Sequence, residues 1–161
     1  MIEAANPNAA TATFSFRPAQ LSEAAAIRGL VADAYADYAA QVGRTPSPMR
    51  DDYERRIAAS EAWVLEHGGE ITGVIVLKEE PDRLVIDNVA VKPAAQGNGF
   101  GRAMIAFAAE EARQRGIGAL RLYANVIMAK NIALYERLGF VEVERFSDKG
   151  TTRIAMAKRI A

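Results

Sequence analysis

The chain has 161 residues, half of them hydrophobic and a quarter charged, with twenty basic residues balancing twenty acidic ones. This length and composition fit one globular domain that buries its core without staples, and the zero net charge gives no global attraction to nucleic acid or an anionic membrane. Cysteine is absent, which excludes disulfides, thiolate metal ligands and cysteine nucleophiles and fits a cytoplasmic protein.

The N-terminal "MIEAANPNAATAT" (1–13) has no basic segment followed by an apolar block, so it does not read as a secretory signal. Small and polar, it is expected to be a flexible tail, with one domain over 14–161. "FSFRPA" (14–19) alternates as a first strand. In 21–43, Ile27, Leu30, Val31, Ala34, Tyr35 and Tyr38 recur at helical spacing up to Gly43. A proline-punctuated loop (44–49) leads to a second helix over 50–61, whose early acids suit its N-terminal dipole end. Residues 62–80 read as two strands joined by a hairpin turn at His67-Gly68-Gly69-Glu70, which makes His67 a turn residue. Glu79 and Glu80 read as solvated charges near a strand end.

"RLVIDNVAV" (83–91) is apolar on both faces, the mark of a central strand. A helix over 101–116, a strand over 119–126, a helix over 129–140 and strands over 140–146 and 151–160 complete the chain. The predicted order is β-α-α-β-β-β-α-β-α-β-β, a mixed α/β sheet of about seven strands with one parallel crossover between 83 and 126. The last strands are candidate edges for pairing with a second copy as a homodimer.

The stretch Gln96-Gly97-Asn98-Gly99-Phe100-Gly101-Arg102 joins that central strand to its helix. It is not a dinucleotide fingerprint, because the last glycine of a G-x-G-x-x-G beginning at Gly97 would fall on Arg102, and no Walker A string exists. What remains is a turn whose glycines let backbone N–H groups approach a ligand, followed by a helix N-terminus that favours anions such as phosphate. A tight turn without ligand is the alternative.

Gln96-x-x-Gly99-x-Gly101 resembles the Q/R-x-x-G-x-G/A signature of the GNAT superfamily of N-acetyltransferases. "VIDNVAVKP" resembles the family's splayed strand, and Asn131, Ala133, Tyr135, Gly139 and Phe140 resemble its N-x-x-A-x-x-Y-x-x-x-G-F segment, with the alanine one position early. The resemblance implies the GNAT fold and the use of acetyl-coenzyme A as co-substrate, without a metal. It assigns Gly97, Asn98, Gly99, Gly101 and Arg102 to the pyrophosphate, with Gln96 framing the turn. Asn98 departs from the Arg or Lys of many relatives, and Lys92, Arg102 or Lys130 could compensate. Val89 and Val91 would pair their backbone with the pantetheine arm, and the Val89 N–H would polarise the thioester carbonyl.

Read alone, Tyr135 is a half-buried aromatic; within the motif it resembles the general acid that protonates the departing thiolate. Asn131, four residues earlier, shares its helix face and would contact the pantetheine. Tyr123 is a second candidate acid. Alternation puts Asp87 on one face with Val85, Val89 and Val91, where desolvation would raise its pKa and suit it to be the base; a structural carboxylate is the alternative. The family's acceptor pocket maps onto Tyr35, Tyr38, Met49 and Tyr53 beside the 44–49 loop, although Tyr35 and Tyr38 could equally cap the core. The expected acceptor is a small or amino-acid-like amine. An acyl-CoA sensor without turnover, or a transferase for another acyl group, is the competing reading.

Overall fold

The computed structural model describes residues 13–161, so the expected flexible tail lies, but for its last residue, outside the described residues. In chain order the elements are β1 (Phe14–Pro18), α1 (Ala24–Val42), α2 (Tyr53–Ala58), β2 (Ala62–His67), β3 (Glu70–Glu80), β4 (Arg83–Val91), α3 (Phe100–Gln114), β5 (Ala119–Asn125), α4 (Ala129–Arg137), β6 (Val141–Asp148) and β7 (Thr151–Arg159). Single 3₁₀ turns precede α1, α2 and α3. The predicted order is the observed one.

The seven strands form one sheet in the order β1-β2-β3-β4-β5-β7-β6. Only β4 and β5 run parallel, because α3 carries the chain between them. On one face α3 and α4 lay Met104, Ile105, Ala108 and Leu134 over Ile75, Leu84, Ile86, Val89 and Val91. On the other, α1 and α2 lay Ile27, Val31, Tyr35 and Tyr53 over Val64, Val74, Val76 and Ala90. The α1 residues are those whose 3.6-residue spacing predicted the helix. The second helix is shorter than expected. Asp52 caps it, its side chain accepting from the Arg55 N–H at 3.0 Å, and Ser60 at φ 60° lies just past its end. No helix among the described residues is long and apolar enough to cross a membrane.

Candidate active site

The site begins where two strands part. Pairing between β4 and β5 covers only Leu84–Leu120, Val85–Arg121 and Ile86–Leu122. Beyond it β4 stays paired with β3, and β5 with β7. A wedge therefore opens between the C-terminal halves of β4 and β5. Register decides which backbone groups face it. The Lys92 N–H donates to the Thr72 carbonyl at 2.9 Å, so Val74–Ala90 is the next hydrogen-bonded pair of the antiparallel ladder. Val89 and Val91, in the alternate positions, turn their N–H and C=O groups away from β3 toward the wedge. The Gln96 side chain donates to the Val91 carbonyl from that side at 3.1 Å.

At the C-terminal end of β4 the chain turns into α3. Gly97 and Gly99 have φ of 84° and 83°, left-handed conformations that favour glycine. Gly99 caps α3, and its carbonyl accepts from the Ala103 N–H at 3.0 Å. Gly101 sits inside the first turn of α3 rather than in the loop, and Arg102 follows it, exposed. Asn98 is exposed, and its side chain folds back to donate to the Ala95 carbonyl at 2.9 Å. Of the compensating cations, Lys92 lies 3.5 Å from the Glu70 carboxylate.

A cavity of about 520 Å³ opens on the wedge from the side of α1. Its walls include Tyr35, Tyr38, Asp87, Val89, Tyr123 and Tyr135 from the expected set. Tyr135 and Asn131 share the buried face of α4. Burial alone raises the Tyr135 pKa, so its phenol holds its proton at neutral pH. The ring meets Phe140 edge-on, 6.0 Å between centroids.

Met49 and Tyr53 do not line the cavity. Met49 packs against the core beneath α1, and Tyr53 is fully buried one layer behind the wall. Its hydroxyl donates to the Pro48 carbonyl and accepts from Asn88 Nδ2 at 3.2 Å, while Asn88 Oδ1 accepts from the Tyr35 hydroxyl at 2.8 Å. The resemblance put both Met49 and Tyr53 in the acceptor pocket, but which layer each occupies is set by the packing of the 44–58 segment against α1. His67 ends β2 and sets its ring against Phe100, 5.3 Å between centroids. Glu80 and Glu79 are ion-paired with Arg83 and Arg115 at 2.7 and 3.7 Å.

Asp87 does not share the face of Val89 and Val91. A β-bulge in the β3–β4 ladder pairs Ile86 with Leu77 and Asn88 with Val76, leaving Asp87 as the extra residue. Strict alternation fails across it. Ile86 and Val89 both face α3, whereas Asp87 and Asn88 both reach the side of α1 and α2. There Asp87 lies 3.0 Å from Arg56, which also binds Asp51 at 2.9 Å and Glu61 at 3.0 Å. Desolvation still raises the Asp87 pKa, against the opposing pull of Arg56.

Sequence reasoning missed Arg56 and Asn88. Asn88 carried a signal, a polar amide inside an apolar central strand. Arg56 carried none, because its partners are set by tertiary packing. The loop prolines lie at the cavity rim, where Arg44 joins α1's end to the β6–β7 turn by bonds to the Lys149 carbonyl at 3.2 Å and Thr151 Oγ1 at 3.1 Å.

The sequence model of the acetyltransferase (GNAT) family matches residues 27–140. YvbK, an uncharacterised N-acetyltransferase of Bacillus subtilis, is 29% identical over 94 residues, 58% of this chain and 61% of its own. The [ribosomal protein bS18]-alanine N-acetyltransferase of Escherichia coli K12 is 35% identical over 78 residues, 48% of this chain and 53% of its own. The matches thus span little more than half the length of these relatives. In structure, the PaiA N-acetyltransferase of Thermoplasma acidophilum in complex with coenzyme A superposes with a TM-score of 0.78 at 14% identity, covering 91% of this chain and 99% of its own.

Proposed function

Because the chain belongs to the acetyltransferase (GNAT) family, we propose that it moves an acetyl group from acetyl-coenzyme A to a primary amine by direct attack. The observation that carries this reading is the wedge, which runs from a cavity walled by Tyr135 to a glycine turn at a helix N-terminus. The free amides of α3's first turn, with Gly97, Gly99, Gly101 and Arg102 around them, suit the cofactor's pyrophosphate. The pantetheine arm runs along the edge at Val89 and Val91, with Asn131 nearby, and the thioester comes to rest beside the cavity.

The amine nitrogen attacks the thioester carbon. The Val89 N–H, oriented into the wedge, stabilises the negative charge that develops on the oxygen. Asp87 takes the amine's proton, directly or through water, and its raised pKa suits a base. As the C–S bond breaks, Tyr135 gives its proton to the coenzyme A thiolate, a role supported by the protonated state that burial enforces. The acceptor is a small or amino-acid-like amine, consistent with a cavity of about 520 Å³ walled by Tyr35 and Tyr38. An alanine at a protein N-terminus is the second reading, favoured by the name of the Escherichia coli relative. The exposed β6 edge, with Val141 and Val143, is where a second copy would pair.

The test is thermal unfolding with saturating acetyl-coenzyme A, followed by thiol release across amino acids, polyamines and alanine-initiated peptides. A cofactor-dependent rise with amine-dependent thiol release supports transfer. A rise without turnover on any amine supports the sensor reading, and no rise defeats both.

A further inference from the structure

A one-way hydrogen-bond chain threads the cavity wall, in which Tyr35, Asn88 and Pro48 stand with Tyr53 behind them, and its far end dictates its direction. The Pro48 carbonyl can only accept, so the Tyr53 hydroxyl commits its single proton there. The Tyr53 oxygen must then accept from Asn88, which presents Nδ2 at 3.2 Å. That contact fixes the orientation of the amide: Oδ1 faces Tyr35 and accepts its hydroxyl proton at 2.8 Å. Tyr35, Asn88 and Tyr53 are 8%, 3% and 0% exposed, so bulk water does not scramble the order.

Tyr35 is the open end of the chain. Its side chain lines the cavity, and its hydroxyl lies within electrostatic reach of Tyr135 and Arg153 on the same wall. With its proton committed to Asn88, the oxygen offers the cavity lone pairs alone.

We propose that Tyr35 accepts a hydrogen bond from the N–H of the incoming amine, and that Asn88 and Tyr53 are positioning residues that hold Tyr35 in that sense. The proposal rests on the acetyl-transfer reading. A neutral primary amine that gives an N–H to Tyr35 keeps its lone pair free to face the thioester carbon. Asn88 immediately precedes Val89, so the group that orients the nucleophile and the N–H that receives the oxyanion are set by adjacent residues of one strand. A substrate group approaching with only lone pairs meets repulsion at Tyr35.

The test uses propylamine as acceptor and, without it, water in the slow hydrolysis of acetyl-coenzyme A, both followed by thiol release. Tyr35→Phe is expected to lower kcat/KM for propylamine about tenfold, the effect of one hydrogen bond, while leaving acetyl-coenzyme A binding unchanged. Tyr53→Phe frees the Asn88 amide to reverse and is expected to lower it about threefold, and hydrolysis should follow the same ranking.

The sign comes from 3-fluorotyrosine at position 35. Its hydroxyl is a stronger donor and weaker acceptor of similar shape, and burial, which holds the Tyr35 pKa well up, keeps it protonated at neutral pH. A fall in kcat/KM supports the proposal, and a purely structural Tyr35 would not respond. A rise or no change on fluorination, or unchanged rates in Tyr35→Phe with an active wild type, overturns it. A wild type that neither binds acetyl-coenzyme A nor releases thiol overturns the acetyl-transfer reading beneath it.

Discussion

Replacing Arg56 by Met should destabilise the protein more than any other single charge removal at its surface, in a way that depends on pH. The Arg56 side chain is 12% exposed and holds Asp51, Glu61 and Asp87 at 2.9 to 3.0 Å. Removing the cation leaves these carboxylates half-buried without their shared partner. Breaking a buried pair from one side costs about 3–5 kcal/mol. Here the carboxylates keep 16–28% of their exposure, so the lower end, about 3 kcal/mol, applies. For a domain of this size that corresponds to a fall of about 6–12 °C in unfolding temperature.

The sign with pH follows from Asp87. Its folded pKa is already raised by burial and is held down chiefly by Arg56, with a smaller pull from Lys78, so in Arg56→Met it rises further above the unfolded value of about 3.9. A group with a raised folded pKa contributes its stability below the unfolded value and loses it as pH climbs through the folded one. The gap between wild type and variant should therefore be small near pH 4 and full near pH 7. Thermal melts followed by circular dichroism at both pH values read it. Arg28→Met is the control, since its pair with Glu54 at 2.8 Å is exposed, and it should move unfolding by less than about 2 °C. An Arg56→Met shift as small as the control's, or equal at both pH values, would refute the reasoning.

Tyr135→Phe should lower kcat by about a hundredfold while acetyl-coenzyme A affinity stays within about threefold, because the ring and its edge contact with Phe140 are retained; full kcat in steady-state thiol release removes Tyr135 as the acid. Asp87→Asn should lower kcat/KM by at least about tenfold and abolish an acidic limb lying above the usual aspartate range; a limb that survives in the pH–rate profile belongs to another group. Asn98→Arg gives up one local hydrogen bond and puts a cation beside α3's N-terminus. It should tighten coenzyme A binding by about three- to tenfold at low salt and by less at high salt, and calorimetry showing weaker or salt-independent binding contradicts the placement of the phosphates.

What was legible in the sequence was whatever depends on neighbours in the chain. Helical spacing placed Ile27, Val31 and Tyr35 on one face of α1, and the glycine string marked the start of α3 within a residue. What was hidden depends on the ladder. One extra residue at Asp87 reverses every inference from strict alternation beyond it, sending Asn88 toward Tyr35 and Tyr53. Strand periodicity contains no sign of a bulge, because the partner strand decides it. Tyr53 illustrates a second limit. The resemblance put it in the acceptor pocket, but the α1–α2 packing sets it behind the cavity wall as a support.

The central claim is that an acetyl group leaves coenzyme A and arrives on an amine within this one chain. Incubating the wild type with isotopically labelled acetyl-coenzyme A and the best amine of the panel, then quantifying free thiol and labelled acetylamine in the same sample, tests it directly. Equal amounts of the two products, both falling together in Tyr135→Phe, are expected. Thiol without acetylamine, or neither product with cofactor bound, would contradict it.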